Sequence, residues 1–95
     1  MIFYHGTNKH GLNETVEQGY LLHKRATKNF PDISPCTYLA TDLEEAKQYG
    51  DVIMEVDYDP FINPNKNNYR KGCWQLRVYE PIYNYKVITN QTNQN

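Results

Sequence analysis

Apolar residues come in short bursts along this chain, and most bursts are too brief for long helices. Met1 to Tyr4 is an apolar run that reads as a strand, which His5-Gly6-Thr7-Asn8 then breaks. From Leu12 to Gln18 the pattern predicts a helix, capped by Asn13 and stopped by Gly19. Tyr20-Leu21-Leu22 reads as a second short strand. His23 to Pro35 has two prolines and little periodicity, and reads as an exposed loop. Thr37 to Ala40 is a further short strand. Thr41 with Glu44, or Asp42 with Glu45, spells a capping box for a helix running to Tyr49 and ended by Gly50.

The clearest alternation lies at Asp51 to Asp57. Val52, Met54 and Val56 fall on one side of this strand, and Asp51, Ile53, Glu55 and Asp57 on the other. Asn63 to Asn68 is a loop. Trp74 to Tyr79 is a strand, with either Leu76 and Val78 or Gln75, Arg77 and Tyr79 facing inward. Tyr83 to Ile88 is a last strand, or a turn leading into one. Short strands with two short helices predict an α+β domain. The tail from Thr89 to Asn95 has no apolar residue, which places the domain at residues 1–88 and a flexible tail at residues 89–95.

Composition narrows the class. A chain of 95 residues accommodates one small domain with a thin core. Mean hydropathy is low, at -0.84, yet nine Tyr, three Phe and one Trp are too many aromatics for a disordered chain. Tyrosine can build a core, and it can line a pocket that stacks on a flat ligand. The net charge of -1 argues against phosphate-backbone binding as the main activity. No apolar run is long enough to span a membrane, and Met1 to His5 does not read as a signal peptide. Cys36 and Cys73 fit no zinc spacing, so no metal site is expected, and they read as two reduced thiols of a cytoplasmic protein.

Candidate chemistry sits at the ends of elements. His5-Gly6-Thr7 follows a strand, Tyr38 lies within one, Tyr49 ends a helix and Gln75 begins a late strand. In this order, Tyr4-His5-Gly6-Thr7, Thr37-Tyr38-Leu39-Ala40, Ala46-Lys47-Gln48-Tyr49 and Gln75-Leu76-Arg77-Val78-Tyr79-Glu80 resemble the motifs of the diphtheria-toxin and PARP-like branch of ADP-ribosyltransferases. The signature of that branch is His-Tyr-Glu. The resemblance spans nearly all of residues 2–88. It implies a compact split antiparallel sheet with two short helices that binds NAD as co-substrate.

It also implies roles. The nicotinamide would lie between Tyr38 and Tyr49, and the backbone of Gly6 would approach its carboxamide. His5 would bond the adenosine-side ribose, and Thr7 would hold the turn. His5, Tyr38 and Gln75 would be the catalytic set. Arg25, with His23, Lys24 and Lys28, would pair with the pyrophosphate. The segment from Asn65 to Lys71 would meet the acceptor.

The sequence departs from the branch at two positions. Gln75 replaces the glutamate that steadies the developing positive charge on the ribose; an amide can bond a hydroxyl but supplies neither charge nor a base. Glu80 falls on the opposite face of a regular strand, and Glu55 and Asp57 lie on another strand. Ala46 stands where relatives often carry serine. The implied activity is mono-ADP-ribosylation of a macromolecule, a protein or a nucleic acid, by a bacterial or phage effector. The alternative is an inactive module of the same fold that binds NAD, an ADP-ribose-like ligand or a partner protein. An RNA 2′-phosphotransferase is a third option, but the chain has no room for the RNA-binding lobe it requires.

Overall fold

The computed structural model describes residues 1–22 and 35–90. The α+β expectation holds: the five strands form one antiparallel sheet, accompanied by two short helices. The strands are β1 (Ile2–Thr7), β2 (Thr37–Ala40), β3 (Val52–Asp57), β4 (Gln75–Val78) and β5 (Tyr85–Asn90), and their order across the sheet is β4-β2-β1-β3-β5. Where the resemblance implies a split sheet, the described strands thus form a single one. Its weakest joint lies between β1 and β2, which are in register at Tyr4↔Ala40 alone. By contrast, β1 and β3 pair at six positions, from Ile2↔Asp57 to Thr7↔Val52.

Several elements differ from the sequence pattern. The first strand continues through Gly6 to Thr7, so the glycine lies within it and does not break it. The first helix, α1 (Lys9–Gln18), starts earlier than predicted, and its cap is Asn8, not Asn13: Asn8 Oδ1 accepts from Gly11 N at 2.8 Å. The buried face of this helix is made of Gly11 and Thr15, and so has no apolar stripe to mark its start. Thr15 Oγ1 donates to Gly11 O at 2.9 Å. Tyr20 to Leu22 forms no strand; Leu21 makes an isolated bridge to Ile82, bonded in both directions at 2.8 and 3.0 Å. The last strand pairs through Thr89 and Asn90 with Ile53 and Val52, two residues beyond the predicted domain end.

The second helix, α2 (Leu43–Ala46), is capped by Asp42, whose side chain accepts from Glu44 N at 3.1 Å. It continues as a 3-10 turn over Lys47–Tyr49 and stops at Gly50. Gly50 has φ +152, and a Cβ there would run into the Thr7 carbonyl, so this exit needs glycine twice over.

The two faces of the sheet carry different loads. Phe3, Leu39, Val52, Met54, Val56, Leu76 and Val78 form the main core with Leu21 and Ile82. Leu76 and Val78 are therefore the inward pair of β4. On the other face a smaller cluster is closed by α2, with Ala40, Ala46 and Ile53 packed against Tyr4 and Leu43. Ile53 is buried by that helix, although strand alternation grouped it with the polar residues. Cys36 is buried, Cys73 is partly buried, and both are free thiols.

A polar knot fixes the segment after β3. Tyr58 Oη donates to Glu80 at 2.8 Å, and Asn63 Nδ2 donates to the same carboxylate at 3.1 Å. Asn67 Nδ2 reaches Tyr58 Oη at 3.1 Å. Burial first, then the hydrogen bond to Glu80, pushes the Tyr58 phenol up to about 12. The folded state therefore holds this proton more tightly than the unfolded chain, whose phenol titrates near 10. The contribution is complete below pH 10 and is lost as pH rises from 10 towards 12. Thermal melts across that window should show stability falling, and Tyr58→Phe should flatten the fall. An equally steep fall in the variant would mean another group is responsible.

Candidate functional site

The weak joint between β1 and β2 is where the predicted residues converge. His5 lies on β1 facing the core and is 3% exposed. Its Nδ1 lies 2.8 Å from the carbonyl oxygen of Tyr38. A carbonyl only accepts, so Nδ1 is the donor in this contact. This bond ties the two strands together beyond their single position in register.

Directly opposite residues of antiparallel strands share a face. Gln75 stands opposite Ala40, Ala40 opposite Tyr4, and Tyr4 opposite Glu55. Tyr38 stands opposite Arg77 on the same face, two residues from Ala40. The face that carries α2 therefore presents Tyr38, Gln75, Arg77 and Tyr4 together. Tyr49, at the end of the 3-10 turn, is 49% exposed and joins them: Gln75 Nε2 donates to Tyr49 Oη at 2.9 Å. Tyr38, Tyr49 and Gln75 are thus grouped by the fold, while His5 approaches from the core side through the backbone of Tyr38.

Gly6 and Ala46 are also brought together. The space where a Gly6 side chain would stand is filled by the Ala46 carbonyl and by the Tyr49 Cβ. The absent side chain is used to seat α2 against β1. The sequence suggests close approach of a ligand at Gly6 and gives no sign of this packing role. Thr7 is buried and pairs with Val52, at the point where the Gly50 backbone crosses over it. Arg25, with His23, Lys24 and Lys28, lies outside the described residues.

The carboxylates considered as substitutes stand elsewhere. Glu80 is engaged with Tyr58 and Asn63. Glu55 shares the face of Gln75 but is three strands away, roughly 14 Å at the usual strand spacing, and pairs with Lys86 at 3.7 Å. Asp57 accepts from the Met1 ammonium at 3.3 Å. Gln75 is therefore left without a neighbouring strand carboxylate, and the charge nearest to it along β4 on the same face is that of Arg77.

Two residues of this face were not singled out from the sequence. Tyr4 shares parity with Gly6 along β1, and Arg77 shares parity with Gln75 along β4, so alternation was the signal that could have found both. In the segment before β4, Tyr69 packs edge-on against Phe3 and Phe61, at centroid distances of 6.3 and 5.5 Å, while Arg70 and Lys71 are exposed. The Trp74 carbonyl accepts from Thr41 N at 3.0 Å, which ties the start of β4 to the start of α2. Among the described residues no three His, Cys, Asp or Glu side chains group to hold a metal ion, and no helix is long and apolar enough to cross a membrane. No family model, no curated protein and no solved structure matches the chain.

Proposed function

We propose that this chain is an NAD-dependent mono-ADP-ribosyltransferase acting on a macromolecular target. The observation that carries the reading is the grouping of Tyr38, Tyr49 and Gln75 on one face, beside a β1–β2 joint held by His5. Two exposed or half-buried tyrosines next to a neutral amide suit a flat, electron-poor ring and a ribose hydroxyl. In the transfer, the bond between the nicotinamide nitrogen and ribose C1′ breaks, and its electron pair leaves with neutral nicotinamide. The acceptor forms the new bond to C1′ and gives its proton to solvent or to a group of its own, since Gln75 cannot take it. A protein is the favoured target, with nucleic acid as the other candidate, and a bacterial or phage effector is the setting the resemblance suggests.

The neutral Gln75, held by Tyr49, favours a second reading. In it, the same face binds NAD or an ADP-ribose-like ligand without turnover. Incubation with labelled NAD and a cell lysate separates the two: transfer that is lost in Tyr49→Ala supports the enzyme, and binding without transfer supports the module.

A further inference from the structure

At the end of the sheet away from Gly6 and α2, the surface opens into two adjoining hollows that share Asp57, Tyr83 and Asn84. Apolar side chains stand out of this surface. Ile62 is 73% exposed and Tyr83 is 68% exposed, and Ile2 and Phe61 are exposed nearby. A domain with so thin a core gains nothing from leaving these residues in water. Asp57, Asp59 and Glu80 line one hollow, and Glu55 and Asp57 line the other. Among the described residues, the cations of the linings and their ion pairs are Lys86, already paired with Glu55, and the Met1 ammonium on Asp57. Exposed apolar side chains therefore stand among four carboxylates, Glu55, Asp57, Asp59 and Glu80.

This combination selects among occupants. An excess of carboxylates repels nucleic-acid phosphates and acidic lipid surfaces. It attracts lysine and arginine, while Tyr83 and Ile62 offer contact area to apolar side chains or to the stems of long cations. The hollow lined by Glu55 shares the sheet face of Gln75 but lies three strands away, roughly 14 Å at the usual strand spacing, so an occupant here does not cover Gln75 itself.

We propose that this surface docks a polypeptide segment in which basic and apolar side chains alternate. The proposal is independent of NAD chemistry.

The test uses the full chain, isotope-labelled for amide NMR, and a hexapeptide probe, Leu-Lys-Phe-Arg-Leu-Lys with blocked ends. An acidic analogue with Glu at each basic position is the control. The expected result is a set of shifts centred on Ile62, Tyr83 and Tyr85, weakening as salt is raised. The triple variant Asp57→Asn, Asp59→Asn, Glu80→Gln keeps an acceptor oxygen at each position and should bind at least fivefold more weakly. Tyr83→Ala, at an exposed site, should do the same with its melting temperature preserved. Shifts centred elsewhere, equal binding of the acidic analogue, or no shifts at 1 mM peptide would overturn the proposal. Concentration-dependent shifts without peptide would also overturn it, because they would assign the surface to a second copy of the chain.

Discussion

Gly6→Ala is expected to cost about 3 kcal/mol, the upper end of what overpacking usually costs. For a domain of this size that corresponds to a melting temperature lower by roughly 12–24 °C. The added methyl would collide with backbone, the Ala46 carbonyl, which cannot rotate away as a side-chain tip can. Relief requires α2 to lift from β1. Tyr49 is carried on the turn that continues α2, and its Cβ is also near the new methyl. The substitution should therefore separate Tyr49 from Gln75 as well as destabilise the fold. Thermal unfolding by circular dichroism checks the first effect. A melting temperature within 3 °C of wild type would mean that α2 does not pack on Gly6 as described.

Gln75→Glu is the second large effect, and it acts on chemistry with little effect on stability. Gln75 now donates to Tyr49 Oη at 2.9 Å. A carboxylate at the same position accepts from that hydroxyl instead, so the contact survives with its direction reversed. Stability should stay within about 0.5 kcal/mol, as for most partly exposed substitutions. The negative charge would lie on the face that presents Tyr38 and Tyr49, where it can steady positive charge developing on a ribose. NAD hydrolysis should rise at least tenfold, equivalent to about 1.4 kcal/mol of barrier. Nicotinamide release by purified wild type and variant measures it. An unchanged rate in a variant that melts normally would mean that Gln75 does not face the ribose.

How far the sequence led depended on what each signal encodes. Val52, Met54 and Val56 alternate because one face of β3 meets the main core, and that strand was legible. Ile53 broke the pattern because a distant helix covers the other face. The start of α1 was missed because its buried face is Gly11 and Thr15, which carry no hydrophobic period. Thr89 and Asn90 looked like tail because pairing at a sheet edge is made by backbone, which composition does not record.

The site divides in the same way. Tyr38, Tyr49 and Gln75 were nameable from short motifs in order, and their grouping follows from the strand order β4-β2-β1. The Gln75–Tyr49 bond joins residues 26 apart, and no local pattern announces it. Gly6 was picked out for its type, but its packing against Ala46 required the fold. The anionic, apolar surface around Tyr83 is assembled from β3, the segment after it and the approach to β5, and no motif marks it.

In the proposed function the face carrying Tyr38, Tyr49 and Gln75 binds NAD and passes its ADP-ribose to a macromolecule. Purified protein incubated with NAD labelled in the adenylate half, with and without cell lysate, tests it most directly. The expected result is label on a macromolecule, one nicotinamide released per transfer, and loss of both in Tyr49→Ala. Absence of transfer, together with no thermal stabilisation by millimolar NAD, would contradict it.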